Sequence, residues 1–283
     1  MFSTLISVDD VLAHLHDPDW VVVDCRFSLQ ESSKGREEYL DGHIPGAFYA
    51  HQEEDLSGEI IPGKTGRHPL PPLERMVDLF SSWGIDEKVQ VVVYDFKGGG
   101  MAVRLWWMLQ WLGHEAVALM DGGWAHWDAR RLPVSVEAPS RPPRAFTPRL
   151  QEGWIAEADM VEQIRLDPAW RLVDSRAYER YLGREEPIDP VAGRIPGAVH
   201  HFFMDNVDEN GFFKDPAILR SKFLDLTGDV EAGNTVFYCG SGVTSCHNVL
   251  AMRIAGLGMA RIYPGSWSEW ITDPKRPIAK DEI

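Results

Sequence analysis

The sequence predicts an α/β protein made of two similar domains, each with a mainly parallel sheet flanked by helices. Three observations support this prediction: the chain repeats itself once, short apolar strands alternate with helical segments in both halves, and a proline-rich stretch separates the halves. The length of 283 residues is also long for one domain and natural for two. Near-continuous apolar strands between helices are typical of a sheet covered on both faces.

The duplication rests on four matched segments that recur in the same order with nearly constant spacing. The clearest pair is Asp-Gly-His-Ile-Pro-Gly-Ala at 41–47 and Ala-Gly-Arg-Ile-Pro-Gly-Ala at 192–198. The other pairs are 20–24 with 170–174, 91–95 with 235–239, and 121–127 with 264–270. We therefore expect domains at 1–132 and 151–283, joined by the proline-rich linker 133–150, whose composition disfavours helix and central strand.

Each repeat shows the same alternation of elements. In the first repeat, the pattern predicts helices over 8–15, 72–83 and 102–112, and strands over 21–24, 89–94 and 116–120. In the second, it predicts helices over 155–166, 216–226 and 245–257, and strands over 171–174, 235–238 and 261–263. The tryptophans at helical spacing in 102–112 are most simply interpreted as packing residues.

Composition excludes several classes of partner. The net charge of −15 argues against nucleic acid and anionic membranes. No stretch approaches the ~20 apolar residues of a membrane span, and the first residues lack the basic and apolar regions of a signal peptide. Three cysteines cannot form a disulfide framework, so a reducing compartment, most simply the cytoplasm, is expected.

The stretch around Cys239 carries the strongest functional signal. A predicted strand ends at Tyr238, Cys239 follows, and Gly240-Ser241-Gly242-Val243-Thr244 leads into the helix at 245. The glycines let the backbone curl and direct N–H groups inward, and the helix dipole adds positive potential. A cysteine held there should be a nucleophilic thiolate, at the strand ends where such folds bind ligands. The alternative is a structural cysteine beside a glycine-containing turn.

The other cysteines and histidines do not indicate a metal site. Cys239, Cys246 and His247 lack the closely paired spacing of zinc ligands. Cys246 is interpreted as a small core residue on its helix. Cys25 ends a predicted strand and is also interpreted as a packing residue.

At this point the chain resembles the tandem-domain rhodanese-type sulfurtransferases. The resemblance rests on the duplication, the 41–47 motif, Asp174-Ser175-Arg176 and the loop at 239–244, which is most similar to the 3-mercaptopyruvate branch. It implies a five-stranded, mainly parallel sheet in each domain, an inactive first repeat and a persulfide intermediate on Cys239, with no cofactor. Asp95, at the position matching Cys239, agrees with an inactive first repeat.

The resemblance also assigns roles to individual residues. It implies that Ser241 assists proton handling and that His43 is a catalytic partner at the domain interface, with a structural histidine in a tight Gly/Pro turn as the alternative. It places a substrate-binding arginine at Arg180. Beside it, the inward N–H groups of the loop, at Gly240, Gly242, Val243 and Thr244, would hold the anionic sulfur, although Thr244 could be a helix cap only.

The donor-binding pattern departs from the branch at one position. A second arginine is expected nine residues after Arg180, and this sequence has Asp189 there. Arg184 or Arg194 could substitute, or both could be solvated surface charges. An arginine suits this task because its fork donates two parallel hydrogen bonds to a carboxylate or oxyanion.

Three functions follow as hypotheses. The first is a sulfurtransferase that takes sulfur from 3-mercaptopyruvate, or alternatively thiosulfate, and gives it to a thiol, a thioredoxin-like protein or cyanide. The second is a phosphatase or arsenate reductase, which needs an arginine six residues after the cysteine. That residue is Ser245, which argues against it. The third is a non-enzymatic persulfide carrier or interaction protein.

Overall fold

The computed structural model describes residues 1–281, so the last two residues of the predicted second domain lie outside it. The described chain divides into two compact units. The first comprises residues 1–58, 70–151 and 207–213, and the second comprises 59–69, 152–206 and 214 onward. The predicted linker 133–150 therefore belongs to the first unit. Each repeat also contributes one connecting segment to the unit of the other repeat.

The sheet of the first unit has five strands, all parallel, in the order β1-β5-β4-β2-β3. The strands are β1 Leu5–Ile6, β2 Trp20–Asp24, β3 Phe48–Tyr49, β4 Gln90–Tyr94 and β5 Val117–Met120. The helices are α1 Val8–Ala13, α2 Lys34–Asp41, α3 Leu73–Ser82, α4 Ala102–Trp111 and α5 Gly123–Ala129.

The predicted strands and helices of the first repeat are present with small shifts at their ends. Every residue of β4 is buried, which is why the apolar run at 91–94 is uninterrupted after Gln90. The helix α4 is buried over nearly its whole length, including Trp106 and Trp107. The predicted packing role is confirmed for these two, while Trp111 is partly buried and stacks on Trp107. Burial of such large rings supplies much of the stabilisation of this unit, at roughly 25 cal/mol per Å² of apolar surface.

The second unit has a parallel sheet of four strands in the order β7-β6-β8-β9. The strands are β6 Arg171–Asp174, β7 Val199–His200, β8 Thr235–Tyr238 and β9 Arg261–Ile262. The helices are α6 Ala158–Ile164, α7 Tyr178–Leu182, α8 Pro216–Thr227, α9 Ser245–Ile254 and α10 Ser266–Trp270, and short 3-10 turns lie at 203–206 and 232–234.

The expectation of five strands in each sheet is therefore wrong for the second sheet as far as the chain is described. The missing edge position is occupied by Ile155, which makes a single parallel bridge to Ile262. The Ala156 N–H donates to the Ile262 carbonyl at 2.9 Å, and the Ile262 N–H donates to the Trp154 carbonyl at 3.0 Å. This pairing is one residue long, too short to form a strand.

The two repeats share a buried ion pair that anchors the strand ends. In the second unit, the Arg176 guanidinium donates to Asp174 at 2.6 Å and to the Gly193 carbonyl at 2.6 Å. In the first, Arg26 makes the matching bonds to Asp24 and to Gly42. The pair explains why Asp-x-Arg and the Ile-Pro-Gly turn recur together in the sequence.

The apolar helices of the structure are interior elements of these units. No helix within residues 1–281 combines the length and the apolarity that crossing a membrane requires.

Candidate active site

The loop that follows β8 places Cys239 at the carboxyl end of the sheet, where the side chain is buried. The first residues of α10 hold the loop through its backbone. The Cys239 N–H donates to the Ser266 hydroxyl at 3.1 Å, and its carbonyl accepts from the Trp267 N–H at 3.1 Å. The Gly240 carbonyl accepts from the Ser268 N–H at 2.9 Å. The backbone of Cys239 is thus held by hydrogen bonds on both sides.

Gly242 has a conformation that only glycine adopts easily. Its φ is +77°, and a Cβ there would lie 2.1 Å from the Pro264 carbonyl oxygen. This geometry turns the Gly242 N–H toward the Cys239 sulfur, to which it donates at 3.1 Å. The predicted curl of the loop around the sulfur is therefore present, and it depends on a glycine at this position.

The surroundings of Cys239 lower the pKa of its thiol. Burial raises that pKa, but hydrogen bonds to the thiolate outweigh burial. They come from the Thr244 hydroxyl and from the backbone N–H groups of Ser241 and Ser245. Because these groups favour the charged form of the sulfur, the site can present a thiolate nucleophile.

The other two cysteines lie in different surroundings. Burial and the nearby Asp24 carboxylate raise the pKa of the Cys25 thiol well above its ordinary value. Cys246 is fully buried on α9, and its thiol lies 3.5 Å from the Gly242 carbonyl. Both positions match the packing roles expected from the sequence.

Ser241 pairs with a histidine that sequence reasoning missed. The Ser241 hydroxyl and the His68 Nδ1 are 2.7 Å apart, and both side chains are buried. His68 belongs to the first repeat in sequence, but its segment, 59–69, is part of the second unit. A signal did exist: the connection between Tyr49 and Leu73 is long and irregular, and loops of that length are usually functional.

Two guanidinium groups lie against the start of the loop. A Cβ at Gly240 would be 2.9 Å from Arg67 Nη2, and 3.6 and 3.7 Å from the two terminal nitrogens of Arg180. Arg180 was expected from the sequence, and Arg67 was not. The backbone N–H of Arg67 donates to the Ser268 hydroxyl at 3.1 Å, which fixes the segment carrying Arg67 and His68 on α10.

Two buried carboxylates hold this arginine pair. Asp189 contacts Arg67 through Oδ1, and its Oδ2 accepts from Arg180 Nη2 at 3.0 Å. Glu186 accepts from Arg180 Nε at 3.1 Å and lies 2.7 Å from Arg180 Nη2. The position that lacks the expected second arginine thus supports an arginine supplied from another segment.

Neither of the sequence-based substitutes for that second arginine joins this cluster through an ion pair recorded in the structure. Arg184 pairs with Glu179 at 3.6 Å on the surface. Arg194 pairs with Asp281 at 2.7 Å. Arg184 has the environment of a surface charge, whereas the Arg194 side chain is only 17% exposed and donates to the Tyr181 carbonyl at 3.2 Å.

His43 is not brought to this loop by any contact in the described residues. It is fully buried in the first unit, where its Nδ1 lies 2.7 Å from the Tyr39 carbonyl and its Nε2 lies 3.0 Å from the Glu137 carbonyl. With both ring nitrogens bonded to backbone oxygens, His43 has the environment of the alternative interpretation, a structural histidine in a tight turn. No group of three or more potential metal ligands clusters within residues 1–281.

Comparison with known proteins agrees with this geometry. A model of the rhodanese-like domain matches residues 7–130 and again 157–273. The chain is 43% identical over 278 residues to a protein named "Probable 3-mercaptopyruvate sulfurtransferase" from Pseudomonas aeruginosa, with 98% of each chain covered. It is 35% identical to a thiosulfate sulfurtransferase of Bos taurus, covering 95% of this chain and 91% of that protein.

A solved structure gives the same result. A 3-mercaptopyruvate sulfotransferase from Escherichia coli superposes with a TM-score of 0.80 at 27% identity, covering 95% of this chain and all of that one. The family model accounts for most of both repeats, and the named relatives match over nearly the full length. The chain therefore belongs to the rhodanese family and is a two-domain sulfurtransferase of that family.

Proposed function

We propose that this enzyme transfers sulfur from 3-mercaptopyruvate to a thiol or to cyanide through a persulfide on Cys239. The observation that carries the choice of donor is the hydrogen bond between Ser241 and His68. Loss of sulfur from 3-mercaptopyruvate leaves a carbanion that must be protonated, whereas loss of sulfur from thiosulfate leaves sulfite, which needs no proton. A buried hydroxyl and imidazole beside the nucleophile suit the first reaction.

In the first half-reaction, the Cys239 thiolate attacks the sulfur of the donor. A sulfur–sulfur bond forms, and the electron pair of the carbon–sulfur bond passes to the leaving group as the enolate of pyruvate. The enolate takes a proton from the Ser241 hydroxyl, and His68 resupplies that proton. Cys239 then carries the persulfide, whose anionic form accepts hydrogen bonds from the loop N–H groups.

The arginine pair provides the site for the donor's carboxylate. Arg180 and Arg67 both present guanidinium nitrogens at Gly240, the residue that follows the nucleophile. A planar guanidinium donates two parallel hydrogen bonds to a carboxylate, so the pair can orient the donor with its sulfur toward Cys239. Residues 240–244 carry no basic side chain, so cationic binding of the donor falls to these two arginines.

In the second half-reaction, an acceptor attacks the outer sulfur of the persulfide. The sulfur–sulfur bond breaks, its electron pair returns to Cys239 as thiolate, and the acceptor leaves as a new persulfide or as thiocyanate. Small thiols, a thioredoxin-like protein and cyanide all meet this requirement. Because the cycle needs a free thiolate, we propose a reducing compartment, the cytoplasm, as its location.

The test compares initial rates with 3-mercaptopyruvate and with thiosulfate at equal concentrations, with cyanide or dithiothreitol as acceptor. We expect a clear preference in kcat/KM for 3-mercaptopyruvate, ping-pong kinetics, and the mass of one extra sulfur atom on Cys239 after incubation with donor alone. A preference for thiosulfate would favour the alternative donor. Sulfur loading without turnover would favour a persulfide carrier.

A further inference from the structure

Asp189 is the buried carboxylate that joins the two arginines of the donor site. Its side chain is 3% exposed, and each of its oxygens contacts a different guanidinium, Arg67 on one side and Arg180 on the other. A surface ion pair contributes little to stability, but a buried carboxylate between two cations determines both their position and their net charge.

The charges around the site balance before any donor binds. Three guanidinium groups face three carboxylates, and all are linked by ion pairs: Arg67, Arg176 and Arg180 with Asp174, Glu186 and Asp189. A thiolate on Cys239 then makes the site negative overall. Such a site should bind an anion that carries one charge more easily than an anion that carries two.

The two donors differ in this property. 3-Mercaptopyruvate carries one carboxylate charge, and thiosulfate carries two charges. One additional unit charge at roughly 5 to 10 Å from a buried carboxylate, at an effective dielectric constant of about 20, changes a rate by about tenfold or more. The charge of Asp189 is therefore large enough to set the preference between the donors.

We propose that Asp189 is a specificity-determining residue, which positions Arg67 beside Arg180 and selects the singly charged donor. This inference rests on the proposed function, because it assumes that Cys239 takes sulfur from such donors. Arg67 and Arg180 contact the donor, and Asp189 acts through them.

The experiment measures the ratio of kcat/KM for 3-mercaptopyruvate to kcat/KM for thiosulfate in four proteins: wild type, Asp189→Asn, Arg67→Gln and the double variant. Removing the negative charge should lower the ratio about tenfold, and removing the positive charge should raise it. The double variant restores the net charge, so its ratio should return to within about threefold of wild type. Asp189→Glu, which keeps the charge, is the matched control.

The ratio separates charge selection from a merely structural role, because a distorted site would slow both donors together. The inference is overturned if Asp189→Asn leaves the ratio unchanged, or if Asp189→Asn and Arg67→Gln move it in the same direction. If Asp189→Asn does not fold, the other two variants still test the inference. It then requires a raised ratio in Arg67→Gln and an unchanged ratio in Asp189→Glu. Absence of turnover with either donor in the wild type would instead overturn the proposed function.

Discussion

The loops after β4 and β8 both surround a side chain with backbone N–H groups, but the side chain differs. After β4, the Asp95 carboxylate accepts N–H bonds from Gly99 at 3.0 Å, Met101 at 2.7 Å and Ala102 at 3.1 Å. After β8, the Cys239 sulfur occupies the matching position and is also surrounded by N–H groups. The fold thus gives each repeat a site for an anion. In the first repeat a side chain fills it permanently, whereas in the second it can hold a thiolate.

The difference also extends to the helix that supports each loop. Ser266 and Ser268 of α10 stand where α5 has Gly123 and Ala125. Backbone bonds to the loop are the same in both, since the Trp124 and Trp267 N–H groups donate to the first residue of each loop. The serine hydroxyls add bonds to Cys239 and to Arg67 that the first repeat cannot make. The two loops therefore differ in several supporting contacts beyond the cysteine.

The largest expected effect on turnover is found by comparing substitutions of Cys239 and Asp95, the residues that follow β8 and β4. Cys239→Ala should reduce turnover at least about a thousandfold, because it removes the proposed sulfur carrier. Asp95→Asn should keep turnover within about threefold, since it changes only the first repeat. The measurement is pyruvate release at saturating 3-mercaptopyruvate. Substantial turnover by Cys239→Ala would mean that the sulfur is carried elsewhere.

The next largest effect is expected at Ser241 and His68, the hydrogen-bonded pair of the second unit. Ser241→Ala should lower kcat with 3-mercaptopyruvate about 10- to 100-fold, because proton transfer to the leaving group is lost. With thiosulfate, kcat should change less than about threefold. His68→Asn should show the same selectivity, and steady-state kinetics with both donors measure it. Equal losses with both donors would show that the pair positions the loop and does not deliver a proton.

Sequence reasoning identified the proposed nucleophile but only part of its surroundings. Cys239, its loop and Arg180 were recognisable because they are local, following one strand or opening one helix. His68 and Arg67 were missed because their segment belongs to the first repeat in sequence and to the second unit in space. Local patterns cannot show which unit a long connection joins. Asp189 was noticed, but the role proposed for it depends on its contact with Arg67 and so could not be deduced.

The Asp95 carboxyl in the first repeat should make the stability of the protein depend on pH. Burial raises the pKa of the Asp95 carboxyl from its ordinary 3.8 to about 6, despite the N–H groups that favour its charged form. The folded protein therefore binds this proton more tightly than the unfolded chain. The resulting contribution to stability is complete below about pH 4 and is lost as the pH rises to about 6.

Asp95→Asn should reveal this contribution, because asparagine does not titrate. Relative to wild type, the free energy of unfolding of the variant should increase by about 2.4 kcal/mol between pH 4 and pH 7. Urea unfolding of both proteins at several pH values measures the difference. Asp121, whose pKa burial also raises to about 6, is present in both proteins and cancels. A difference that does not vary with pH would contradict the raised pKa.

The smallest effect tests the helix that supports the nucleophile. Ser266 has a φ of +56°, a left-handed conformation that glycine adopts more easily, and its counterpart Gly123 has a φ of +62°. Ser266→Gly should relieve about 1 kcal/mol of strain and lose about 1 kcal/mol from the hydrogen bond to Cys239, leaving stability nearly unchanged. Ser266→Ala keeps the strain and loses the bond, so it should be less stable than Ser266→Gly by about 1 kcal/mol.

Activity then decides why a serine is kept at a position that suits glycine. If its hydroxyl holds the backbone of Cys239 in place, Ser266→Gly should lower kcat/KM about three- to tenfold, a loss of roughly 1 kcal/mol in transition-state stabilisation. Stability measured by urea unfolding and kcat/KM measured with 3-mercaptopyruvate provide the two readouts. Full activity in Ser266→Gly would mean that the loop is already held by the bonds both repeats share, and that the contrast between the repeats lies in Cys239, Ser241 and the arginine pair alone.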